Sequence, residues 1–235
     1  MNILGITLAR GGSKSVPQKN ILPLLGIPLI GYTIREALLS KSLTRFIVST
    51  DDEEIKNIAE FYGAEVPFLR PQELSTDKSS SVDALKHAVK WIEQSENKKY
   101  DFVIELMCTN PLKTVIDIDN CIKKLVETGA DSVIAMHRLE DHHPIRIKKI
   151  VNDYICDFCL PEKKESRRQD LKPDAYIRSG SIYALKRDHL MLEGLRYGSK
   201  FSRPYILPPE RAINIDNKTD FSVAEHMLKT LEKKI

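Results

Sequence analysis

The chain has 235 residues, 42% hydrophobic and 29% charged, a composition typical of a folded globular protein that excludes wholesale disorder. Its 36 basic and 33 acidic residues give a formal net charge of +3, which does not indicate a nucleic-acid-binding protein. The sequence contains neither an apolar run of the roughly 18 residues that span a membrane nor a signal-type first segment, so we expect a cytoplasmic protein without membrane contact.

Short apolar runs alternate with amphipathic segments through the first 136 residues. Strands are predicted at 3–9, 45–50, 101–107 and 131–136. Helices are predicted at 28–40, from an Asp51 cap to Gly63, at 79–94, and along a stripe of Ile118, Cys121, Ile122 and Leu125 that Gly129 ends. This alternation predicts an α/β fold, a three-layer domain with a mostly parallel sheet.

The pattern changes after His137. The later predicted elements are two short strands within 144–158 around a turn at 152–153, strands at 176–185, 204–207 and 212–215, and a helix at 220–231. We therefore predict one domain over 1–235, with an excursion at about 138–176 that serves as a lid or an oligomerisation arm.

The loop after the first predicted strand carries three cations and two adjacent glycines, in the order LARGGSKSVPQKN from Leu8. Glycines let the backbone approach a phosphate, and consecutive amides can form a nest for an anion. Arg10, Lys14 and Lys19 would supply positive charge to a polyphosphate. Ligands of open α/β sheets bind at this edge, so the loop predicts a phosphate site, although it matches neither a Walker A loop nor a dinucleotide fingerprint. The alternative is a flexible basic loop.

Two further loops lie next to predicted elements. The loop 69–81 leads into the third predicted helix, and the loop 107–113 follows the third predicted strand. The first contains Arg70, Ser79 and Ser81, which could contact a base or ribose, or could simply include a helix cap. The second begins where the third strand ends, at the edge of the sheet where active sites form. Taken alone, it could also be an ordinary connection between a strand and a helix.

A polar segment near residue 215 could hold a divalent cation. Asn214 and Asp216 are two residues apart in a predicted strand and therefore share one face. Their oxygen atoms suit Mg²⁺ or Mn²⁺ bound against a phosphate. The alternative is a helix start capped by Asn217 or Asp216, and the two roles are compatible.

The chain also contains two adjacent histidines, His142 and His143, and a Cys-x-x-Cys pair, Cys156 and Cys159. A structural zinc site needs four ligands brought together, and this spacing matches no standard pattern. Side chains three apart in a strand point to opposite faces. Zinc and a thioredoxin-like centre are therefore both disfavoured. Hydrolase motifs with a nucleophile elbow or HExxH are absent from the sequence.

Taken together, these segments resemble the CMP-sialic acid synthetases, the acylneuraminate cytidylyltransferases. The opening loop is close to the family's ARGGSKG-x-P-x-KN pattern, and LRPQEL at 69–74, DHHP at 141–144 and GSIY at 180–183 follow in the family's order. The resemblance implies a Rossmann-like nucleotidyltransferase fold and a homodimer with exchanged arms. It also implies transfer of CMP from CTP to a nine-carbon 2-keto sugar acid, sialic acid or a legionaminate- or pseudaminate-like nonulosonate, with release of pyrophosphate.

The resemblance also implies roles for individual residues. The catalytic cations would be Arg10, Lys14 and Lys19. The nucleotide contacts would be Gly11, Gly12, Ser13, Asn20, Arg70, Ser79 and Ser81. The sugar-acid contacts would be Met107, Thr109, Asn110, Arg146, Arg168 and Tyr183, with Arg146 reaching the sugar bound in the partner subunit. The metal ligands would be Asp216 and Asn214, with Mg²⁺ or Mn²⁺ as the cofactor.

Four positions depart from the family's pattern: Ser15, Met107, Ser179 and Asn214. Met107 replaces a glutamine, which favours a drier pocket wall and a less hydroxylated acid than N-acetylneuraminate. Asn214 replaces the first aspartate of the metal pair, and an amide oxygen binds Mg²⁺ less well than a carboxylate. A catalytically weakened CTP-binding protein therefore stays an alternative. Another is a KDO-type cytidylyltransferase, whose opening loop differs from this one.

Overall fold

The computed structural model describes residues 1–13, 16–140, 142–162 and 167–232. Its strands are β1 Ile3–Leu8, β2 Pro23–Leu24, β3 Ile27–Pro28, β4 Arg45–Ser49, β5 Phe102–Leu106, β6 Ser132–Arg138, β7 Lys148–Val151, β8 Tyr154–Asp157, β9 Tyr176–Lys186 and β10 Ser202–Ile206. Its α-helices are α1 Leu29–Leu39, α2 Glu53–Phe61, α3 Ser81–Glu96, α4 Val115–Thr128, α5 Arg187–Met191 and α6 Lys218–Glu232. Among the described residues, no helix is long and apolar enough to cross a membrane.

A six-stranded sheet forms the centre of the structure, in the order β10-β6-β9-β5-β1-β4. Its pairs are parallel except where β9 lies antiparallel between β5 and β6. The predicted mostly parallel α/β sheet is therefore confirmed. The antiparallel strand was not predicted. Among the described residues, no α-helix lies between β6 and β9, and the crossover between parallel neighbours is usually a helix.

Two apolar layers cover the two faces of this sheet. On one face, Ile30 of α1 and Ile118 of α4 pack on the strands, and on the other face Leu85 of α3 does so. Neighbouring residues of β5 divide between the layers, because Val103 belongs to one and Ile104 to the other, as the alternation of side chains in a strand requires. The strands read as continuous apolar runs because both faces are buried.

Several local predictions were wrong by one residue or missed short elements. Asp52, not Asp51, caps α2, because its carboxylate accepts the backbone N–H groups of Glu54 and Ile55. Pro28 lies just before α1 instead of in its first turn. The segment 212–215 is not a strand, and the hairpin of β2 and β3 and the short helix α5 were not predicted.

The predicted strand pair within 144–158 is confirmed as an antiparallel ribbon of β7 and β8, separate from the main sheet. Asn152 and Asp153, with φ of 49° and 66°, form the turn that joins the strands. The ribbon is apolar yet exposed, since Tyr154 and Ile155 show 74% and 75% of their surface to solvent. None of the described residues of the same chain covers this ribbon.

Candidate active site

A cavity of about 450 Å³ opens where β1, β4 and β5 end. Its lining comes from the loop after β1, the loop that precedes α3, and the end of β5 with the residues that follow it. Nine residues singled out from the sequence line it: Arg10, Ser13, Lys19, Asn20, Arg70, Ser79, Ser81, Met107 and Thr109. The carboxyl ends of adjacent parallel strands therefore bring together segments that are up to about 100 residues apart.

The two glycines of the opening loop have different surroundings. A Cβ on Gly11 would lie 2.5 Å from Asp52 Oδ2, and the Gly11 backbone N–H donates to Asp51 Oδ1 at 3.2 Å. A Cβ on Gly12 would meet nothing within 4 Å. Glycine at 11 is thus required by close packing against the start of α2, whereas Gly12 leaves the backbone open to a ligand.

Arg10 lies over the loop that precedes α3. Its guanidinium is 3.1 Å from Asp77 Oδ1 and donates to the Thr76 carbonyl oxygen at 3.2 Å. The buried Asn20 donates from Nδ2 to the Arg10 carbonyl oxygen at 3.0 Å, which fixes the backbone at this position. Because the Arg10–Asp77 pair is partly exposed, a phosphate could replace the carboxylate of Asp77 at low cost.

Arg70 is only 5% exposed and is bonded mainly within the protein. Its guanidinium donates to the Ser49 carbonyl oxygen at 3.1 Å and to Ser75 Oγ at 2.9 Å, and it lies 3.5 Å from Asp51 Oδ1. Burial lowers the pKa of Arg70, and the nearby carboxylate of Asp51 opposes that shift. Arg70 therefore ties the end of β4 to the loop 70–81 and shapes this side of the cavity.

The serines before α3 hold that loop in place. Ser79 Oγ donates to the Glu73 carbonyl oxygen at 2.7 Å and accepts the Thr76 backbone N–H at 3.0 Å. Ser80, which lies between these two serines in the predicted hydroxyl cluster, caps α3 by accepting the Asp83 backbone N–H. Ser81 opens the helix and lines the cavity. The capping role and the cavity-lining role thus fall on neighbouring serines.

Lys19, Asn214 and Asp216 form a polar cluster at another edge of the cavity. Lys19 Nζ donates to the Ile215 carbonyl oxygen at 2.8 Å and lies 3.5 Å from Asp216 Oδ1. Asn214 Nδ2 donates to Asp216 Oδ2 at 2.5 Å. Asn214 Oδ1 is buried against Gly180 and accepts no hydrogen bond from any residue that the structure describes. The pair is thus joined in a loop, and the oxygen of Asn214 points away from Asp216.

Asp216 fits a divalent cation only together with a phosphate ligand. Its side chain is 69% exposed, and within the described ranges no three His, Cys, Asp or Glu side chains group together as a metal site. Mg²⁺ is commonly held by one or two carboxylates plus substrate phosphates and waters. One carboxylate beside a polyphosphate site matches that donor set.

The loop 107–113 is held by a buried lysine that sequence reasoning missed. Lys113 Nζ donates to Thr33 Oγ1 at 2.7 Å, to the Met107 carbonyl oxygen at 2.7 Å and to the Asn110 carbonyl oxygen at 2.5 Å. Burial lowers the pKa of Lys113 to about 8. Asn110 is also fully buried, and its Nδ2 donates to the carbonyl oxygens of Arg211 and Ile213. Asn110 therefore supports the loop from inside and does not line the cavity.

The remaining singled-out residues do not line this cavity, although Tyr183 pairs across the sheet with Glu105, which does. Tyr183 on β9 is buried, and Arg146 and Arg168 lie in short 3₁₀ turns on either side of the β7–β8 ribbon. Arg168 is 3.9 Å from Glu140 Oε2. Lys14 and Ser15 of the opening loop lie outside the described residues, as does the first residue of the DHHP segment.

The histidine and cysteine pairs do not form a common centre in the structure. His143 Nε2 is 2.9 Å from the Pro173 carbonyl oxygen, and His143 Nδ1 accepts the Ile145 backbone N–H at 3.3 Å. Cys156 and Cys159 are free thiols on or just after β8. Both ring nitrogens of His143 are thus engaged in holding the start of the ribbon.

Sequence reasoning also missed Glu105 and Arg196. Glu105 lies on β5, lines the cavity and is only 2% exposed, and it pairs with Arg196 from the segment after α5. A glutamate within the apolar run FVIEL was a signal of this pairing, because a buried carboxylate needs a partner. The partner itself could not be identified, because it comes from a segment 91 residues away.

Comparison with known proteins connects this site to an enzyme family. The model of a family described as cytidylyltransferase matches residues 4–225. The chain is 35% identical to a pseudaminic acid cytidylyltransferase from Campylobacter jejuni over 230 residues, 97% of each protein. It is 33% identical to an N-acylneuraminate cytidylyltransferase from Escherichia coli over 224 residues, and this match covers 94% of the chain but only 51% of that relative.

A solved structure shares the fold. It is a CMP:2-keto-3-deoxy-manno-octonic acid synthetase complexed with CTP, and it superposes with a TM-score of 0.71 over 98% of this chain and 100% of the other. Because the two sequences are only 18% identical, the likeness shows the nucleotidyltransferase fold alone.

Proposed function

This chain belongs to the cytidylyltransferase family, and from that premise we propose that it transfers CMP from CTP to the anomeric hydroxyl of a nine-carbon 2-keto sugar acid. The observation that carries the proposal is the convergence of Arg10, Lys19, Asn20 and Arg70 around one cavity at the carboxyl edge of the sheet. Membership of this family makes the chain a nucleotidyltransferase. The proposal that its acceptor is a nine-carbon sugar acid is based on the activities named for its relatives.

Pseudaminate is the acceptor we favour. The C. jejuni relative named for pseudaminic acid matches this chain over 97% of both lengths, whereas the N-acylneuraminate enzyme of E. coli matches over half of its own length. Met107 lines the cavity with an apolar side chain, which suits an acid with fewer hydroxyl groups. An eight-carbon acid is less supported, since the likeness to the octonic acid synthetase is one of fold.

In the proposed reaction, the hydroxyl of the sugar acid attacks the α-phosphorus of CTP in line. The new bond joins the sugar oxygen to that phosphorus, the bond from the α-phosphorus to the bridging oxygen breaks, and pyrophosphate leaves while the hydroxyl loses its proton. Arg10 and Lys19 would neutralise charge on the phosphates, with Arg10 exchanging Asp77 for the ligand. The described residues act mainly by holding reactants and charges in position.

Mg²⁺ or Mn²⁺ is the cofactor we propose for this site. Asp216 would hold the ion together with the phosphates, and Asn214 would orient Asp216 through its N–H group. When bound, the ion would neutralise negative charge on the triphosphate.

We also propose that the chain works as a homodimer through its β7–β8 ribbon. Ile150 and Ile155 are paired across the ribbon, Tyr154 is on its opposite face, and Phe158 follows β8. All four side chains are 61% to 75% exposed, and such exposed apolar side chains are typical of an interaction site. Pairing with a second copy would bury that surface. It would also bring the ribbon-side residues Arg146 and Arg168 toward the sugar acid bound by the partner.

The proposal is tested by pyrophosphate release with CTP and Mg²⁺ against N-acetylneuraminate, legionaminate, pseudaminate and KDO. We expect release with a nine-carbon acid, together with a CMP-sugar product. Arg10→Ala should lower kcat/KM by at least about a hundredfold, because it removes a charge from the transition state, while Arg203→Ala, an exposed arginine on β10, should not. Binding of CTP without turnover of any acid would contradict the proposal and favour a weakened CTP-binding protein.

A further inference from the structure

The segment 211–216 lies between β10 and α6 and carries Asp216 at its end. Residues 212–216 belong to no helix or strand, so their backbone groups have no partners in a regular ladder. Ala212 and Ile215 are nevertheless buried. A buried backbone polar group needs a hydrogen-bond partner, and the course of this segment therefore depends on other parts of the chain.

One buried side chain, Asn110, holds the segment at two points. Its Nδ2 donates to the Arg211 carbonyl oxygen at 2.8 Å and to the Ile213 carbonyl oxygen at 3.0 Å. Because both partners are acceptors, a single side chain must offer two N–H donors to satisfy them, and this fixes the orientation of the amide. The neighbouring Thr109 continues the contact, because its carbonyl oxygen accepts the Ile215 backbone N–H at 2.7 Å. The two loop residues thus hold every second residue of the segment.

Asn110 is itself fixed in place. It has no exposed surface, and its carbonyl oxygen accepts a hydrogen bond from Lys113 Nζ at 2.5 Å. The start of the segment has a second anchor, because Arg211 Nη2 donates to the fully buried carboxylate of Asp117 at 2.7 Å. These contacts give the segment a rigid support within the protein interior.

Asp216 follows directly on this held backbone. Its side chain is 69% exposed, and its carboxylate contacts Asn214 and Lys19, which lie on the segment or bind to it. The position of the carboxylate is therefore set by the backbone of the segment. Mg²⁺ requires near-ideal octahedral geometry, and a displacement of about 1 Å can cost about a hundredfold in rate.

We propose that Asn110 is the positioning residue for Asp216, because it holds the backbone that directs this carboxylate toward a divalent cation on the triphosphate. This inference rests on the proposed function and on its metal site. It gives Asn110 a role in nucleotide activation, in place of the sugar-acid contact that the family resemblance implies. Replacement of a group that orients a metal ligand typically costs about 10- to 100-fold in metal affinity or activity.

The test measures how strongly Mn²⁺ tightens CTP binding. Calorimetry gives the Kd for CTP with EDTA and again with saturating Mn²⁺, and the ratio of the two is the metal-dependent gain. Asn110→Ala should reduce this gain about tenfold. The Kd without metal should stay nearly unchanged, because the cations Arg10 and Lys19 belong to the opening loop. The control Ser132→Ala removes a buried hydroxyl that bonds to Ser202 outside the cavity, and it should keep the full gain.

A double variant distinguishes positioning from a general structural role. Asp216→Ala should lower kcat with Mg²⁺ more than Asn110→Ala does. The double variant should have the same kcat as Asp216→Ala alone, since Asn110 acts through this carboxylate. A double variant that is slower by the further factor that Asn110→Ala causes alone would overturn the proposal, because Asn110 would then act on another group.

Asn110→Ser keeps one donor, so it takes the place of Asn110→Ala in these measurements if the alanine variant does not fold. Where both fold, a smaller loss of gain for serine than for alanine would support the proposal. A full gain in the folded variant would overturn it. An equal loss of CTP affinity with and without Mn²⁺ would also overturn it, because that result indicates a merely structural role.

The same measurements separate this inference from the proposed function. A wild type that releases no pyrophosphate, but whose gain depends on Asn110, would contradict the proposed reaction and still support the role of Asn110. A wild type that releases pyrophosphate, with an unchanged gain in Asn110→Ala, would overturn this inference alone. A wild type without any gain from Mn²⁺ would overturn both this inference and the proposed metal site.

Discussion

The closest packing in the opening loop gives a quantitative prediction for Gly11→Ala. The added methyl group would lie 2.5 Å from Asp52 Oδ2 and 3.0 Å from Asp52 Cβ. Asp52 cannot move away freely, because its carboxylate accepts the backbone N–H groups of Glu54 and Ile55 at 2.9 and 3.0 Å. The variant must therefore either displace the cap of α2 or shift the loop itself.

Both outcomes carry a cost that can be estimated. Loss of a helix cap costs about 0.5–2 kcal/mol, and overpacking costs about 1–3 kcal/mol, so we expect Gly11→Ala to lose about 2 kcal/mol. For a chain of this length, that corresponds to a fall in Tm of about 4–8 °C. Gly12→Ala is the matched control, because its methyl group meets nothing within 4 Å.

The two variants should separate stability from nucleotide binding. Gly12→Ala should keep its Tm, since an alanine in open space costs little and restricts the unfolded chain, yet raise the KM for CTP because the methyl group obstructs a phosphate. Thermal unfolding by circular dichroism and CTP titration measure the two effects. An unchanged Tm for Gly11→Ala, or an equal fall for both variants, would refute the packing argument.

Variants of Lys113, Asn214 and Ile155 test other parts of the structure. Lys113→Met should cost about 3 kcal/mol by leaving buried oxygens without their donor. Because burial lowers the pKa of Lys113 to about 8, the folded wild type binds fewer protons than its unfolded chain between about pH 8 and pH 10. The stability of the wild type relative to the variant, measured by urea unfolding, should therefore rise with pH across that window. Asn214→Asp should tighten Mn²⁺ binding, measured by electron paramagnetic resonance, because it adds a second carboxylate ligand. Without metal the variant should have a lower Tm, because a carboxylate would replace the amide that donates to Asp216 at 2.5 Å. Equal Mn²⁺ affinity in the variant and the wild type would contradict this prediction. Ile155→Lys on the ribbon should be monomeric in sedimentation equilibrium, whereas the wild type should be dimeric. The control Ile116→Lys, at a 66% exposed site on α4, should also be dimeric. A monomeric wild type would refute the proposed interface.

The sheet could be predicted because strands buried on both faces leave long apolar runs. The direction of β9 could not, because a strand buried on both faces has the same apolar pattern whether it runs parallel or antiparallel to its neighbours. The N-cap of α2 was assigned one residue early since Asp51 and Asp52 are equally good caps by type, and the structure uses Asp51 to bind the Gly11 backbone instead.

The nucleotide side of the candidate site follows from the sequence because its loops carry motifs next to strand ends. The Met107 end follows only in part, since Tyr183 belongs to the GSIY segment, whereas Glu105 and Arg196 come from two separate segments and neither lies in a motif. Asn110 and Lys113 show the same limit, because polar residues in a loop look alike in sequence whether they point to the cavity or support it from inside.

The proposed reaction joins CMP to a nine-carbon sugar acid in this cavity. The most direct measurement incubates the protein with CTP, Mg²⁺ and equal concentrations of pseudaminate, N-acetylneuraminate and KDO, and identifies products by ³¹P NMR and mass spectrometry. We expect pyrophosphate and one dominant product with the mass of CMP-pseudaminate. A dominant CMP-KDO signal, or intact CTP in the presence of all three acids, would contradict it.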